Sequence, residues 1–210
     1  MDFEALISGI NERLAFPLPG NVAQVRMSSI RRIAELARKE PKDYVKSSVL
    51  ILLYPSGDEI CFVVILRPDY NGVHSGQISL PGGKFEDSDK SLQFTALREV
   101  YEEIGVAPEQ IQILGQLTDL YIPPSNFMVT PFIGFTRSRP RFEADPSEVA
   151  KIIEIRLSEL SNRNNIKNRK VRIIFGLWIK VPCWVIDGNI IWGATAMILS
   201  EFQELLNYKG

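Results

Sequence analysis

Glu99, Glu102 and Glu103 are spaced so that three carboxylates can gather around one divalent cation. On a helical wheel at about 100° per residue, with Glu99 at zero, Glu102 falls at about −60° and Glu103 at about +40°. Leu97, Val100, Tyr101 and Ile104 fall on the other side, between about 100° and 200°. A helix divided in this way packs one side on a core and turns clustered negative charge outward. Glu99 and Glu103 form an i,i+4 like-charge pair, which costs a few tenths of a kcal/mol in an isolated helix. A cation converts that repulsion into binding, and an all-oxygen donor set suits Mg²⁺ or Mn²⁺. The plainer alternative is a solvated acidic face with Arg98 paired to Glu102.

The flanks of this segment carry further chemistry. Pro81-Gly82-Gly83 is a turn whose glycines let a ligand approach the main chain, and Lys84 behind it can reach a phosphate oxygen as a point charge. Glu86-Asp87-Ser88-Asp89 supplies helix-start signals, and Gly105 stands where a helix cap belongs. Arg67 ends an apolar run, suited to a phosphate contact or to a surface charge. His74, the single histidine, serves equally for a phosphate contact or a turn cap. Glu143, Asp145 and Glu148 follow in a polar stretch, where the ordinary role of acids is solvation. Leu80, Phe127 and Phe132 suit the core, or the lining of an adenine or acyl pocket.

The stretch from Leu80 to Val106 resembles the Nudix box: Gly, five residues, Glu, seven residues, then Arg-Glu-aliphatic-x-Glu-Glu-x-Gly-aliphatic. Arg98-Glu99-Val100-Tyr101-Glu102-Glu103-Ile104-Gly105-Val106 matches the second half completely. In the first half, counting on from Gly83 reaches Asp89 in place of Glu, and one extra residue precedes Arg98. Upstream, ILRPDYNGVHSGQISLPGG is similar to the motif before the box in Nudix coenzyme A pyrophosphatases. Arg67, Gly76, Gln77 and Pro81-Gly82-Gly83 match it, whereas Pro68 replaces a small residue and Gly72 a second Arg.

The resemblance implies metal-dependent hydrolysis of the diphosphate bridge of coenzyme A or acyl-coenzyme A, giving 3′,5′-ADP and 4′-phosphopantetheine or its acyl derivative. It implies Mg²⁺ or Mn²⁺ on Glu99 and Glu103, with Glu102 sharing the metal cluster. Glu102 or the later Glu148 would accept the proton of the attacking water, and Arg98 would orient the acids. Arg67, His74, Gly82, Gly83 and Lys84 are the expected substrate contacts, Arg67 being the candidate for the 3′-phosphate. A Nudix hydrolase for another nucleoside diphosphate derivative, such as ADP-ribose, and a non-catalytic nucleotide-sensing module are the alternatives. The intact acids argue against the latter.

These residues need elements to hold them. Helical periodicity runs over residues 2–14, is stopped by Phe16-Pro-Leu-Pro-Gly, and returns at about Ser28–Arg38. SVLILLY and EICFVVIL, separated by Pro55-Ser-Gly-Asp58, read as a β-hairpin covered on both faces. Further strands are expected near Ile111–Tyr121, Val129–Phe135, Ile152–Arg156, Val171–Val181 and Trp184–Trp192, the last two divided at Pro182. Asp187-Gly188-Asn189 reads as a tight turn, residues 137–149 as a polar loop, and Ala194–Leu206 as a closing helix. The expected class is mixed α/β, a Nudix-type mixed sheet sandwiched between helices. Residues 1–45 are expected to form an N-terminal helical extension packing on a domain spanning 46–210.

Twenty-four Lys and Arg against 25 Asp and Glu leave a net charge of −1, so bulk charge predicts no nucleic-acid partner. Cys61 and Cys183 sit in apolar runs and read as buried thiols, and with one His they build no zinc site. No apolar run is long enough to span a bilayer, and the N-terminus resembles no targeting segment. The expected setting is therefore cytosolic, with a small nucleotide-like substrate and without a membrane partner; oligomeric state is left open.

Overall fold

The apolar runs on either side of Pro55–Asp58 pair as an antiparallel hairpin, β1 (Val45–Ser56) and β2 (Glu59–Leu66), with Leu53 opposite Phe62. They do so in a computed structural model that describes residues 2–29, 43–69, 75–172 and 177–207. The lack of apolar–polar alternation has a direct cause: both faces of β1 are buried. Leu50, Leu52 and Tyr54 enter one core cluster, while Ile51 and Leu53 enter the other.

The remaining strands of this sheet are β3 (Ile78–Ser79), β4 (Gly82–Lys84), β5 (Gln112–Gln116), β6 (Leu120–Ile122), β7 (Phe127–Phe135) and β8 (Lys151–Arg156). The order runs β3-β2-β1-β7-β5, with β4 paired to β1, β6 to β7 and β8 to β2. β1 and β7 run parallel and the other pairs antiparallel, so the sheet is mixed.

Helices cover the two faces. α1 (Phe3–Leu14) buries Leu6, Ile7 and Ile10, and the short α2 (Gly20–Gln24) follows the proline-rich stop. α3 (Leu92–Ile104) places Ala96, Val100 and Ile104 in the cluster beneath β1, a short α4 spans Ser158–Ser161, and α5 (Gly193–Asn207) packs on the opposite cluster beside α1. A three-stranded antiparallel sheet, β9 (Ile166–Arg172), β10 (Trp178–Ile186) and β11 (Asn189–Ile191), is ordered β11-β10-β9.

Three expectations change. The strand expected near Ile111–Tyr121 is divided into β5 and β6, which pair with different stretches of β7. Pro182 does not divide strands: it lies within β10, opposite Asn168. β11 reaches only Trp184–Ile186, so among the described residues the strand has a neighbour on one side at Pro182, the setting in which a missing N–H is tolerated. The helix expected over about Ser28–Arg38 falls largely outside the described residues, and Ser28 itself is extended.

One buried carboxylate ties the N-terminal segment to the rest. Glu201, on α5 and fully buried, accepts hydrogen bonds from Gly20 N (3.1 Å), Thr118 N (3.2 Å) and Gln24 Nε2 (2.8 Å). Glu201→Ala strands three donors, and a buried donor without a partner costs about 1–3 kcal/mol. Urea unfolding of this variant should show a loss of about 2–5 kcal/mol. A loss below about 1 kcal/mol would mean that the network contributes little.

Candidate active site

α3 begins where Ser91 leaves the extended conformation and its side chain accepts from Phe94 N at 3.1 Å. It ends at Gly105, in the left-handed region with φ 74°. With Ala96, Val100 and Ile104 committed to the core, Glu99 and Glu103 are turned toward β4. Gly82 N donates to Glu103 Oε2 at 2.8 Å. Two glycines make this approach possible. Gly82 holds φ 147°, and a Cβ on it would collide with the Ser48 carbonyl, while a Cβ on Gly83 would overlap the Glu99 carboxylate.

A third carboxylate arrives from the loop between β7 and β8. That loop docks on the C-terminal carbonyls of α3, with Glu143 N donating to Ile104 O at 2.9 Å and Asp145 N to Glu103 O at 3.1 Å. Asp145 Oδ1 then accepts from Ser147 N (2.8 Å) and Ser147 Oγ (2.7 Å), and its carbonyl accepts from Glu148 N and Val149 N. Val149 is buried in the core beneath α3. Anchored on both sides, Glu148 brings a carboxylate oxygen within 4.8 Å of one from Glu99 and one from Glu103.

Arg98 lies behind the cluster and locks it. Its guanidinium grips Asp89 through Nε (2.9 Å) and Nη2 (3.1 Å), and reaches Glu99 Oε1 (2.9 Å), Glu102 Oε2 (2.6 Å) and the Lys84 carbonyl (3.1 Å). Asp89 is buried and also accepts from Thr95 Oγ1 and Glu86 N. The Arg98 hydrogen bonds hold its carboxyl down, at about 2. Sequence reasoning assigned Asp89 no such part. The available signal was an acid one residue out of register with the box, preceding the box arginine.

The structure does not bring Glu102 into the cluster. Its side chain is 48% exposed and paired with Arg98, because at about −60° on the wheel it faces away from β4. Glu148 takes the third place. Arg67, at the end of β2, sets Nη1 3.6 Å from Glu103 Oε1, and its own N–H continues the ladder to Gln77 O at 3.0 Å. Lys84 is exposed at the end of β4, and His74 and Gly72 lie outside the described residues. Leu80 and Phe132 are buried in the core, and Phe127 is packed against it.

The electrostatics indicate what the cluster suits. Glu103 is 1% exposed, and burial pushes its carboxyl up to about 8 despite Gly82 N–H and Arg67; Glu99 and Glu148 push it further up. Burial also raises Glu99, opposed by Arg98. Among the described residues, Glu103 Oε1 has no hydrogen-bond partner. A buried carboxylate oxygen without a donor, facing two more carboxylates, fits a hard divalent cation.

A family model described as the NUDIX domain matches residues 45–175. A protein of Photorhabdus laumondii named "Uncharacterized Nudix hydrolase NudL" is 34% identical over 131 residues, covering 62% of this chain and 69% of that one. Its namesake in Pectobacterium atrosepticum is 42% identical over 135 residues, covering 61% and 66%. Among solved structures, the Nudix hydrolase RenU of M. smegmatis aligns with a TM-score of 0.55 at 14% identity, over 80% of this chain and 96% of its own. The MutT protein of Methanosarcina mazei aligns at 0.51 and 17%, over 82% and 100%. At those identities the structural likeness concerns the fold alone.

The raised Glu103 carboxyl has a consequence for stability. Unfolded, the group titrates at about its ordinary 4.5; folded, at about 8, so between these values the folded state holds a proton that the unfolded chain has lost. Stability from this group is therefore lost as pH rises from about 4.5 to 8. With EDTA present, the Tm of the wild type should fall over that window more steeply than that of Glu103→Gln. Parallel profiles would contradict the assignment.

Proposed function

The chain belongs to the Nudix hydrolase family, and from that premise we propose that it cleaves the diphosphate bridge of coenzyme A or acyl-coenzyme A. The products are 3′,5′-ADP and 4′-phosphopantetheine or its acyl derivative. The observation that supports a diphosphate substrate is the convergence of Glu99, Glu103 and Glu148 beside the Arg67 guanidinium. Acids alone repel such an anion, and a single cation-binding carboxylate cluster with an arginine at its rim matches the charge of a bridge between two phosphoryl groups.

In this reading Glu99 and Glu103 hold Mg²⁺ or Mn²⁺. When bound, such a cation supplies Lewis acidity, neutralises the diphosphate charge and lowers the pKa of a coordinated water. Arg67 then binds a non-bridging oxygen of the diphosphate. Its place against Glu103 supports this role over the 3′-phosphate role expected from sequence. Glu148, the exposed member of the three, accepts the proton of the attacking water. Arg98 acts through others: tied to Asp89, it fixes the rotamer of Glu99 and holds Glu102 away from the cluster. Gly82 N–H holds one oxygen of Glu103 and leaves the other facing the cluster.

The coenzyme A assignment rests on the Arg67…Gly76-Gln77…Pro81-Gly82-Gly83 pattern. In the fold the two ends of residues 67–77 pair: Arg67 N donates to Gln77 O, and Gly76 N to Pro68 O at 3.2 Å. Residues 76–77 are thus held beside the strand end that carries Arg67, and Lys84 follows the paired glycines.

A substrate panel with products identified by mass tests the reading. Coenzyme A and acyl-coenzyme A should be cleaved with kcat/KM about ten- to a hundredfold above ADP-ribose, the value of one charge-assisted contact. ADP-ribose cleaved in preference would overturn the substrate and leave the family intact. Arg67→Ala should lower kcat/KM for coenzyme A and dephospho-coenzyme A by the same factor. A loss confined to coenzyme A would return Arg67 to the 3′-phosphate.

A further inference from the structure

The net charge of −1 conceals a strong local imbalance. Between Glu159 and Asp187 the chain has no acidic residue, and it carries six of its 24 cations there: Arg163, Lys167, Arg169, Lys170, Arg172 and Lys180. All six are exposed, and five stand on the β9–β10 ribbon. Among the described residues, none is within ion-pair distance of a carboxylate.

The register makes the imbalance costly. Lys170 lies directly opposite Lys180, and the next pair on that face is Arg172 opposite Trp178. Like charges facing each other across a ladder are destabilising, and one substitution to Glu would relieve the repulsion. Alongside these cations the ribbon exposes large apolar side chains. Trp178 is 65% and Leu177 59% exposed, with Ile166 exposed at the far end of β9. The residues that join the strands in sequence, 173–177, carry no charge.

We propose that the β9–β10 ribbon is a docking surface for an anionic lipid bilayer, with Lys170, Lys180 and Arg172 meeting the headgroups and Trp178 and Leu177 entering the interface. The juxtaposition favours lipid over the other anionic surfaces. Headgroups attract clustered Lys and Arg, and the interfacial region accepts an indole and an aliphatic chain that water rejects. A nucleic-acid strand would use the cations and the indole but offers Leu177 nothing comparable. The contact is peripheral, because no helix among the described residues is long and apolar enough to cross a membrane. If upheld, it would replace the expectation of no membrane partner, drawn from the lack of a bilayer-spanning apolar run, and it does not depend on the proposed substrate.

Co-sedimentation with phosphatidylcholine vesicles, with and without phosphatidylglycerol, tests it on the full chain. The wild type should bind the anionic vesicles at low salt, release at high salt, and leave the neutral ones. Lys170→Glu, which places an acid opposite Lys180, should weaken binding by roughly ten- to thirtyfold while its Tm holds or rises. Trp178→Ser should weaken it several-fold. On vesicles the tryptophan emission should shift to the blue, and Trp178→Phe should abolish that shift. Hydrolysis of a soluble nucleotide substrate should be unchanged in all three. Failure to bind anionic vesicles, equal binding to neutral ones, or undiminished binding by Lys170→Glu would overturn the proposal. So would tighter binding of a single-stranded oligonucleotide, or a self-association that Lys170→Glu abolishes.

Discussion

The Glu103 carboxylate, buried at the contact between α3 and β4, is the constraint on which the site is built. One oxygen is held by the Gly82 amide and the other faces inward with no donor. Burial of this kind costs stability unless the charge is matched, and the protein matches it only in part, through Arg67 at 3.6 Å. Much of the local architecture follows. β4 must be glycine-rich for α3 to approach it, and α3 must end at Gly105 so that the loop between β7 and β8 can return to dock on its carbonyls. That return brings Glu148 to Glu99 and Glu103.

Arg98 and Asp89 solve the complementary problem of keeping four acids on or beside one helix. Their paired hydrogen bonds form a rigid base from which Arg98 reaches both Glu99 and Glu102. The guanidinium thereby separates the acids into two groups. Glu102 is neutralised at the solvent edge, and Glu99 stays directed at the cluster. Such a site carries its positive charge behind the carboxylates and leaves their front open to a cation.

Much of this was legible in the sequence. The wheel positions of Val100 and Ile104 put one face of α3 in the core, and the unbroken apolar runs of β1 and β2 announced burial on both sides. What escaped depends on tertiary contact. A wheel ranks Glu102 beside Glu99 and Glu103, because angle alone does not register that β4 covers one flank and Arg98 the other. Glu148 was singled out among three acids of a polar loop through the family resemblance alone; its docking by Asp145 and Val149 was what the sequence did not reveal. Pro182 read as a break because the sequence does not reveal that β11 stops short of it. The cationic ribbon was hidden by averaging charge over the whole chain.

The central claim is that Glu99, Glu103 and Glu148, without Glu102, form a preorganised site for a divalent cation. Titration of Mn²⁺ into the chelator-treated protein, followed by the loss of the free-ion EPR signal, measures this directly. The account predicts saturable binding to the wild type and to Glu102→Gln, and binding at least tenfold weaker in Glu103→Gln, whose fold is checked by its Tm. Binding abolished by Glu102→Gln and retained by Glu103→Gln would contradict it.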